Sequence, residues 1–290
     1  VSILKLGIPK GSLQDATVEV MAKAGWMVQI SRRSYYPTVD DPELELRLIR
    51  PQDMSRFVEL GIADAGLTGR DWVLENNSGV QEVCALEYAK QSLAPIRWVL
   101  AVPENSPVES VRDLEGKRIA TELVNVTREY LCRNGVDAEV EFSHGATEAK
   151  APDLVDAIVE LTETGSTIKA HKLRIVDVVM ESMTVLIANE ESWKDAWKRE
   201  KIENLRMLLE GAMVGRRKVG LKMNVPAAQL KSVVEILPAL RQPTVSTLSG
   251  DGGYAVETVL DEKQARSLIP LLKRRGAEGI IEFPLNKVVL

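Results

Sequence analysis

A repeating local pattern constrains this chain more than any other feature. A short β-branched run is followed by a turn of Gly, Ser, Thr or Lys, and then by apolar residues at helical spacing. Such a rhythm confines the chain to α/β architectures with a mostly parallel sheet, because parallel strands need a crossover element between them. Leu4 to Ile8 opens the series and runs through Pro9-Lys10-Gly11-Ser12 into a helix with the stripe Leu13, Ala16, Val20, Met21 and Ala24, stopped by Gly25. Leu46 to Ile49 leads through Arg50-Pro51-Gln52-Asp53 to Met54, Phe57 and Val58, ending near Gly61. Ala63-Asp64-Ala65-Gly66-Leu67 then enters Thr68-Gly69-Arg70-Asp71, which is expected to cap a helix beginning near Trp72.

The units repeat in a second lobe, with strands expected at Ile96 to Val102, Arg118 to Thr121, Ala138 to Phe142 and Ala157 to Leu161. Met183 to Ala188 reads as a further strand. Trp193, Trp197, Leu205, Leu208 and Leu209 then mark one long charged helix to about Gly211, expected to brace the lobes. From Gly215 the organisation changes. Val219, Leu221 and Met223 alternate; Pro226 opens a helix carrying Leu230, Val233, Val234 and Leu237. Thr244 to Leu248 and Tyr254 to Leu260 flank the hairpin turn Ser249-Gly250-Asp251-Gly252-Gly253. Ala265, Leu268, Ile269 and Leu272 form a last helix before Glu278 to Phe283, although Pro270 within it should kink it. The order β-α-β-β-α-β is the split βαβ arrangement.

Composition removes several function classes. The 290 residues carry 37 basic and 42 acidic side chains, a net charge of −5, with no basic stripe interleaved with aromatics, so nucleic-acid binding is not expected. The longest apolar stretches, Trp98 to Val102 and Met183 to Ala188, fall far short of a membrane span. The first seven residues do not read as a signal peptide, which suggests a cytoplasmic protein. Cys84 and Cys132 are the only cysteines and read as buried small hydrophobes, while His144 and His171 are the only histidines. With so few soft or imidazole ligands, any catalysis must rest on carboxylates, cations and backbone dipoles.

The chemically richest stretch runs from Asp156 to Thr167, where a hydrophobic strand delivers Glu160 and then a turn dense in hydroxyls around Gly165. Consecutive N–H groups and hydroxyls in such a turn form a concave anion site, and Glu160 is placed to accept bonds from sugar hydroxyls. The pairing suggests a sugar phosphate; an ordinary capped turn is the competing reading. Lys10 with Gly11 before a helix is a second anion site by the same physics. Arg50, Arg70, Arg97 and Arg128 each fall near a strand end or the turn after it, where α/β folds place ligands, although each could equally be a rim ion pair. His144 reads as an exposed loop residue.

Four blocks give the chain a family resemblance. They are Ile8-Pro9-Lys10-Gly11-Ser12-Leu13, then Ala63 through Asp71, then Arg118-Ile119-Ala120-Thr121-Glu122 with Thr127-Arg128, and finally Gly145-Ala146-Thr147-Glu148 through Glu160 to Thr167. In that order they resemble the long form of ATP phosphoribosyltransferase, the enzyme opening histidine biosynthesis, over essentially the whole chain. Ser12, Glu160 and the pair Leu123-Val124 depart from the family's commoner Arg, Asp and Tyr-Pro.

The resemblance implies a bilobal catalytic part similar to periplasmic binding proteins, with lobe I at 1–94 and 183–214, and lobe II at 95–182 binding phosphoribosyl pyrophosphate. An ACT-like (ferredoxin-like) regulatory domain would occupy 215–290. Lys10 and Glu160 would be catalytic; Glu160, Leu161, Thr162, Glu163, Thr164, Gly165, Ser166 and Thr167 would hold the ribose and its 5′-phosphate. Lys10, Gly11, Arg50, Asp71, Arg97, Glu122 and Arg128 would face ATP and the departing pyrophosphate, with Mg2+ carried on the pyrophosphate. Asn224, Leu240, Thr244, Val259 and Gly279 would bind histidine as a feedback inhibitor, in a homo-oligomer that is a dimer or a hexamer. Two other functions are open to such a chain: a phosphoribosyltransferase with another acceptor, or a non-catalytic bilobal anion-binding protein.

Overall fold

A computed structural model describes residues 2–31, 33–86, 88, 96–250 and 252–290. The chain divides into two compact units, residues 1–22 with 26–206, and residues 23–25 with 207–290. The expected lobe boundary at 94–95, and Asp251 in the hairpin turn, lie outside the described residues.

The first unit begins with β1 (Leu4–Pro9), α1 (Gln14–Ala24), the two-residue pair β2 (Val28–Gln29) and β3 (Thr38–Val39), β4 (Leu44–Ile49), α2 (Pro51–Glu59), β5 (Ala65–Gly69), α3 (Arg70–Glu75) and β6 (Gln81–Leu86). It continues with β7 (Ile96–Pro103), β8 (Arg118–Thr121), α4 (Val124–Asn134), β9 (Glu139–Phe142), β10 (Ala157–Thr162), α5 (Ser166–Ala170), β11 (Leu173–Ser182), β12 (Thr184–Ala188) and α6 (Glu190–Lys194). Two five-stranded sheets result, in the orders β4-β1-β5-β12-β6 and β11-β7-β10-β8-β9.

Each sheet holds three parallel strands joined to two more through antiparallel pairings, so that four strands run one way and one, β12 or β7, runs against them. The antiparallel strands carry the chain between the sheets: β6 is followed by β7 of the other sheet, and β11 returns through Met183 to β12. Close packing at the first sheet's centre depends on Gly7 and Gly66, neighbours in register on β1 and β5. A side chain at either would collide with Met54 of α2, which is fully buried across them. α2 itself starts at Pro51, whose missing N–H costs nothing in the first turn, and buries Met54, Ser55 and Val58.

Several expectations are corrected by the structure. Asp195, in an extended conformation, ends α6 and leaves α7 (Ala196–Gly215) as a second helix rather than one continuous brace. α7 also runs past Gly211. Glycine is required at 211 and 215 by close approach of residues 286–289, not by helix termination, and Val288 N–H donates to the Gly211 carbonyl at 2.9 Å. Cys132 is exposed and Cys84 half-buried, because α4 turns Val126, Thr127, Tyr130 and Leu131 inward and β6 is an edge strand.

The second unit contains β13 (Lys218–Pro226), α8 (Leu230–Val234), β14 (Thr244–Thr247), β15 (Gly253–Asp261), α9 (Glu262–Arg274) and β16 (Glu278–Pro284), the expected βαββαβ order. Its four-stranded antiparallel sheet, β14-β15-β13-β16, buries Val219, Leu221, Met223, Val225, Val256 and Leu260 against Val233, Ala265 and Leu272 of the helices. α9 continues to Arg274 through Pro270. The proline lies on the exposed side, where the carbonyl it leaves unpaired can reach water.

Candidate functional site

The order β4-β1-β5 makes the chain step to one side of β1 and then to the other, so the carboxyl ends of these three strands border a crevice. They deliver Lys10, Arg50 and Gly69 through Asp71. In the second sheet, β8 is flanked likewise by β10 and β9, and its strand ends deliver Glu122, the turn after Glu160, and Ser143. A cavity of about 500 Å³ collects residues from both sheets: Lys10, Gly11, Arg50 and Asp71 from the first, Glu122, Glu160, Leu161 and Glu163 from the second. Cations therefore meet carboxylates across one space.

On the first side, Lys10 N–H is tied to the Ile49 carbonyl at 2.8 Å, which places it at the β1 exit. Its ammonium lies over the Tyr35 ring, 3.9 Å from its centre, and the cation's proximity holds Tyr35 below the ordinary tyrosine range. Gly11 follows at φ +110°, a conformation open to glycine, and its carbonyl accepts from Gln14 N–H at 3.1 Å as α1 begins. Arg50 is exposed beside Pro51.

Asp71 does not cap α3. Gly69 occupies the cap position without a side-chain bond, and Asp71 turns inward, 1% exposed. Its Oδ2 accepts the Trp98 indole N–H at 2.7 Å, its Oδ1 accepts Trp72 N–H at 3.1 Å, and its own N–H donates to Ser182 Oγ at 3.1 Å. Burial pushes the Asp71 carboxyl up, and those bonds oppose the shift only in part. Trp72 packs edge-on to Trp98 with centroids 6.2 Å apart.

On the second side, β10 ends in a turn closed by its own hydroxyls. Gly165 N–H donates to Thr162 Oγ1 at 2.7 Å, and the Thr164 and Ser166 hydroxyls lie 2.9 Å apart. Gly165 has φ +78°, which starts the five-residue α5. Thr162 and Gly165 are buried, whereas Thr164, Ser166 and Thr167 are exposed. Glu160 accepts Leu161 N–H at 2.9 Å. Burial pushes its carboxyl up, with Glu148 and Glu122 adding to that, while the Leu161 N–H and Thr147 hydroxyl hold it down. Glu163 carries a buried Oε2 with no hydrogen-bond partner, on a side chain that lines the cavity. Such an orphan acceptor is suited to a ligand donor.

Arg97 and Arg128 are not among the cavity-lining residues. Arg97 lies on β7 opposite Thr162 and Glu181, and exposed Arg128 reaches towards the Val140 carbonyl at 3.5 Å. Arg70 forms a rim ion pair with Glu82, one of the two readings open to it. His144 is exposed and tilts against Phe142. The reading of the chain did not single out Trp98, Ser182, Met183 or Thr184 as cavity residues. Trp98 and Met183 carried only an apolar-strand signal, and β11, which delivers Ser182, was not read at all.

In the second unit, Asn224, Val259 and Thr244 fall on the sheet face opposite the core residues, since Asn224 pairs with Ala255, Val259 with Gly220 and Thr244 with Glu257. Gly279, at φ +55°, adjoins the Asn224 side chain, and Leu240 is 47% exposed.

Fold and cavity are those of an α/β protein with a cavity lined by opposite charges between two sheets. The family model described as ATP phosphoribosyltransferase matches residues 50–211, and one described as the HisG C-terminal domain matches residues 215–287. An ATP phosphoribosyltransferase of Chlorobaculum parvum is 59% identical over 288 residues, covering 99% of this chain and 98% of the relative. That of Solibacter usitatus is 57% identical, covering 99% and 100%. A solved ATP phosphoribosyl transferase (HisG:HisZ) complex from Thermotoga maritima aligns with a TM-score of 0.60 and 29% identity, over 72% of this chain and 99% of that one. The chain belongs to the ATP phosphoribosyltransferase family, which joins the phosphoribosyl group of phosphoribosyl pyrophosphate to ATP in the first step of histidine biosynthesis.

Proposed function

We propose that the 500 Å³ cavity is where the two substrates meet, with the sugar on the β10 side and the diphosphate on the β1 and β4 side. The observation that carries this is the convergence of Lys10 and Arg50 with Glu160 and Glu163 on one space from two sheets. When adenine N1 forms its bond to ribose C1, the C1–O bond to diphosphate breaks. Positive charge develops on the sugar and negative charge on the leaving group. Lys10 and Arg50, with the Gly11 backbone, stabilise the diphosphate where it departs. Glu160 accepts the ribose hydroxyls, Glu163 supplies a further acceptor, and the Leu161 to Thr167 turn holds the 5′-phosphate through N–H groups and hydroxyls. Glu122 borders the sugar side, and Asp71 forms the floor. Arg97 and Arg128 would add positive potential from outside the lining.

Among the described residues no group of three or more His, Cys, Asp or Glu side chains is arranged to hold a metal ion. The Mg2+ of the reaction is assigned to the diphosphate, as the family resemblance implies, and enters as part of the substrate. In this reading lobe I comprises 1–94 and 183–214, lobe II 95–182, and the regulatory domain 215–290. Histidine binds the latter at Asn224, Leu240, Thr244, Val259 and Gly279 in a dimer or hexamer. No helix among the described residues is long and apolar enough to cross a membrane; the cytoplasm is the location proposed for an enzyme of this family.

The test is Glu160→Gln combined with Thr164→Ala, assayed with ATP, phosphoribosyl pyrophosphate and magnesium. Turnover is expected to be lost and phosphoribosyl pyrophosphate binding weakened, with the circular dichroism spectrum and melting unchanged. A normal rate would remove these residues from the site.

A further inference from the structure

Among the described residues, the carboxylates lining the cavity are Asp71, Glu122, Glu160 and Glu163. Two of them already have donors from the protein: Asp71 accepts the Trp98 indole and the Trp72 N–H, and Glu160 accepts the Leu161 N–H. Glu163 differs from all three. It combines a place in the lining with a buried oxygen, Oε2, that has no hydrogen-bond partner among the described residues. A buried acceptor left unpaired is costly, and a donor brought in by a substrate removes that cost on binding.

The geometry of the reaction restricts which donor that is. Ionised phosphates only accept, so the candidates are the hydroxyls of the phosphoribosyl ring, those of the ATP ribose, and the 6-amino group of adenine. For transfer, adenine N1 must stand about 3–3.5 Å from ribose C1, in line with the bond that breaks. The amino group sits on the ring carbon next to N1 and is carried to the same place, beside the sugar and the turn that grips it. The ATP ribose hangs from N9 on the opposite edge of the purine, which takes its hydroxyls away from that turn. With the phosphoribosyl hydroxyls on Glu160, the amino group is the donor left for Glu163, three residues further along. Leu13, Tyr88, Ile96 and Met183 line the same cavity and offer the faces of a purine an apolar surface.

We propose that Glu163 selects the acceptor and assists its attack: its carboxylate accepts a hydrogen bond from the adenine 6-amino group. The proposal rests on the reading that the sugar lies on the β10 side of the cavity. A base with hydrogen or a carbonyl at C6 leaves the carboxylate unpaired and is disfavoured. During transfer the N1 lone pair forms the bond to C1, the C1–O bond breaks, and its electron pair departs with the diphosphate. The base is left with a positive charge shared between N1 and the amino group. The bond to Glu163 is therefore stronger in the transition state than with neutral adenine, and this difference lowers the barrier. No proton has to leave the base in this step.

The test is a cycle of wild type and Glu163→Ala, each assayed with phosphoribosyl pyrophosphate, magnesium and either ATP or purine riboside triphosphate, which keeps N1 and has hydrogen in place of the amino group. Glu163→Ala is expected to lower kcat/KM about 100-fold for ATP and about threefold or less for the analogue, so the preference for ATP shrinks by about tenfold or more. The weaker N1 of the analogue is common to both enzymes and cancels. If the analogue binds without turning over, its inhibition constant against ATP is compared instead and should be the same for both enzymes. Equal losses with both nucleotides overturn the proposal, because the carboxylate then serves the sugar or the fold. Should Glu163→Ala not fold, Glu163→Gln decides. It keeps an acceptor without the charge and must lower kcat with ATP about tenfold while KM for phosphoribosyl pyrophosphate stays within about twofold; an unchanged kcat overturns the proposal equally. Glu160→Gln with Thr164→Ala separates the two ideas. Normal turnover by that pair would end the sugar reading, and the role of Glu163 with it. A crippled pair beside equal losses in Glu163→Ala would end the role of Glu163 alone.

Discussion

Asp71 and Trp98 join the two sheets of the first unit: the carboxylate at the start of α3 accepts the indole N–H from the middle of β7 at 2.7 Å, with both side chains at 2% exposure or less. The contact spans 27 positions of sequence. A buried indole N–H needs such a partner, and a buried carboxylate is an expensive one to supply.

The cost has a sign that can be measured. Because burial raises the folded carboxyl above its unfolded value, the contribution of Asp71 to stability is fully present below the unfolded pKa and is lost as pH rises through the folded one. Asp71→Asn keeps an acceptor for Trp98 and carries no charge. It should therefore melt no lower than wild type at pH 7, with its advantage shrinking towards pH 4. Asp71→Ala leaves the indole unpaired and should lose about 1–3 kcal/mol in urea unfolding at either pH. An Asn variant much weaker than wild type at pH 7 would show that the charge itself is needed.

A second cross-sheet bond lies at the other end of α3. Glu75 accepts the Asn125 and Val126 N–H groups, both at 3.0 Å, so a carboxylate from one helix caps the first turn of α4, and Asn125 Nδ2 donates back to the Glu75 carbonyl at 2.9 Å. Leu123, at the cap position, offers no side-chain bond of its own. Glu75→Ala is expected to lower stability by about 1–2 kcal/mol, the usual value of a lost helix cap. Glu75→Gln, which retains one acceptor, should recover about half of that. Equal stability of all three proteins by urea titration would mean the amides find water instead.

The proposed histidine control is tested most simply on the open face of the second unit's sheet. Asn224→Ala, beside Gly279, should weaken histidine inhibition by tenfold or more and leave the uninhibited rate within about twofold, since the residue lies in the unit that does not carry the cavity. Inhibition curves that superimpose on wild type would exclude this pocket.

Legibility of the chain followed the period of each element. β1, β4, β10 and the βαββαβ unit were readable because their apolar residues recur at the spacing of one buried face, and Gly11, Gly25 and Gly165 mark turns whose positive φ admits glycine readily. β11 was not readable. Its burial alternates irregularly across two register shifts against β7, which blurs the two-residue period. Gly211 misled the reading because a glycine near a helix end signals termination, whereas here it admits a neighbouring backbone. At the site, Lys10, Arg50, Glu160 and Glu163 could be placed from strand ends followed by turns. The inward turn of Asp71 could not, because its partner Trp98 is distant in sequence and only the fold brings them together.

The division of labour across the cavity can be measured directly by titrating ribose 5-phosphate and magnesium pyrophosphate separately, by calorimetry, into wild type, Thr164→Ala with Ser166→Ala, and Lys10→Met with Arg50→Met. The turn variant should bind ribose 5-phosphate at least tenfold more weakly with pyrophosphate affinity kept, and the cation variant should show the reverse. If both ligands weaken together in each variant, or ribose 5-phosphate binds the turn variant as tightly as wild type, the assignment of sugar to one sheet and leaving group to the other is contradicted.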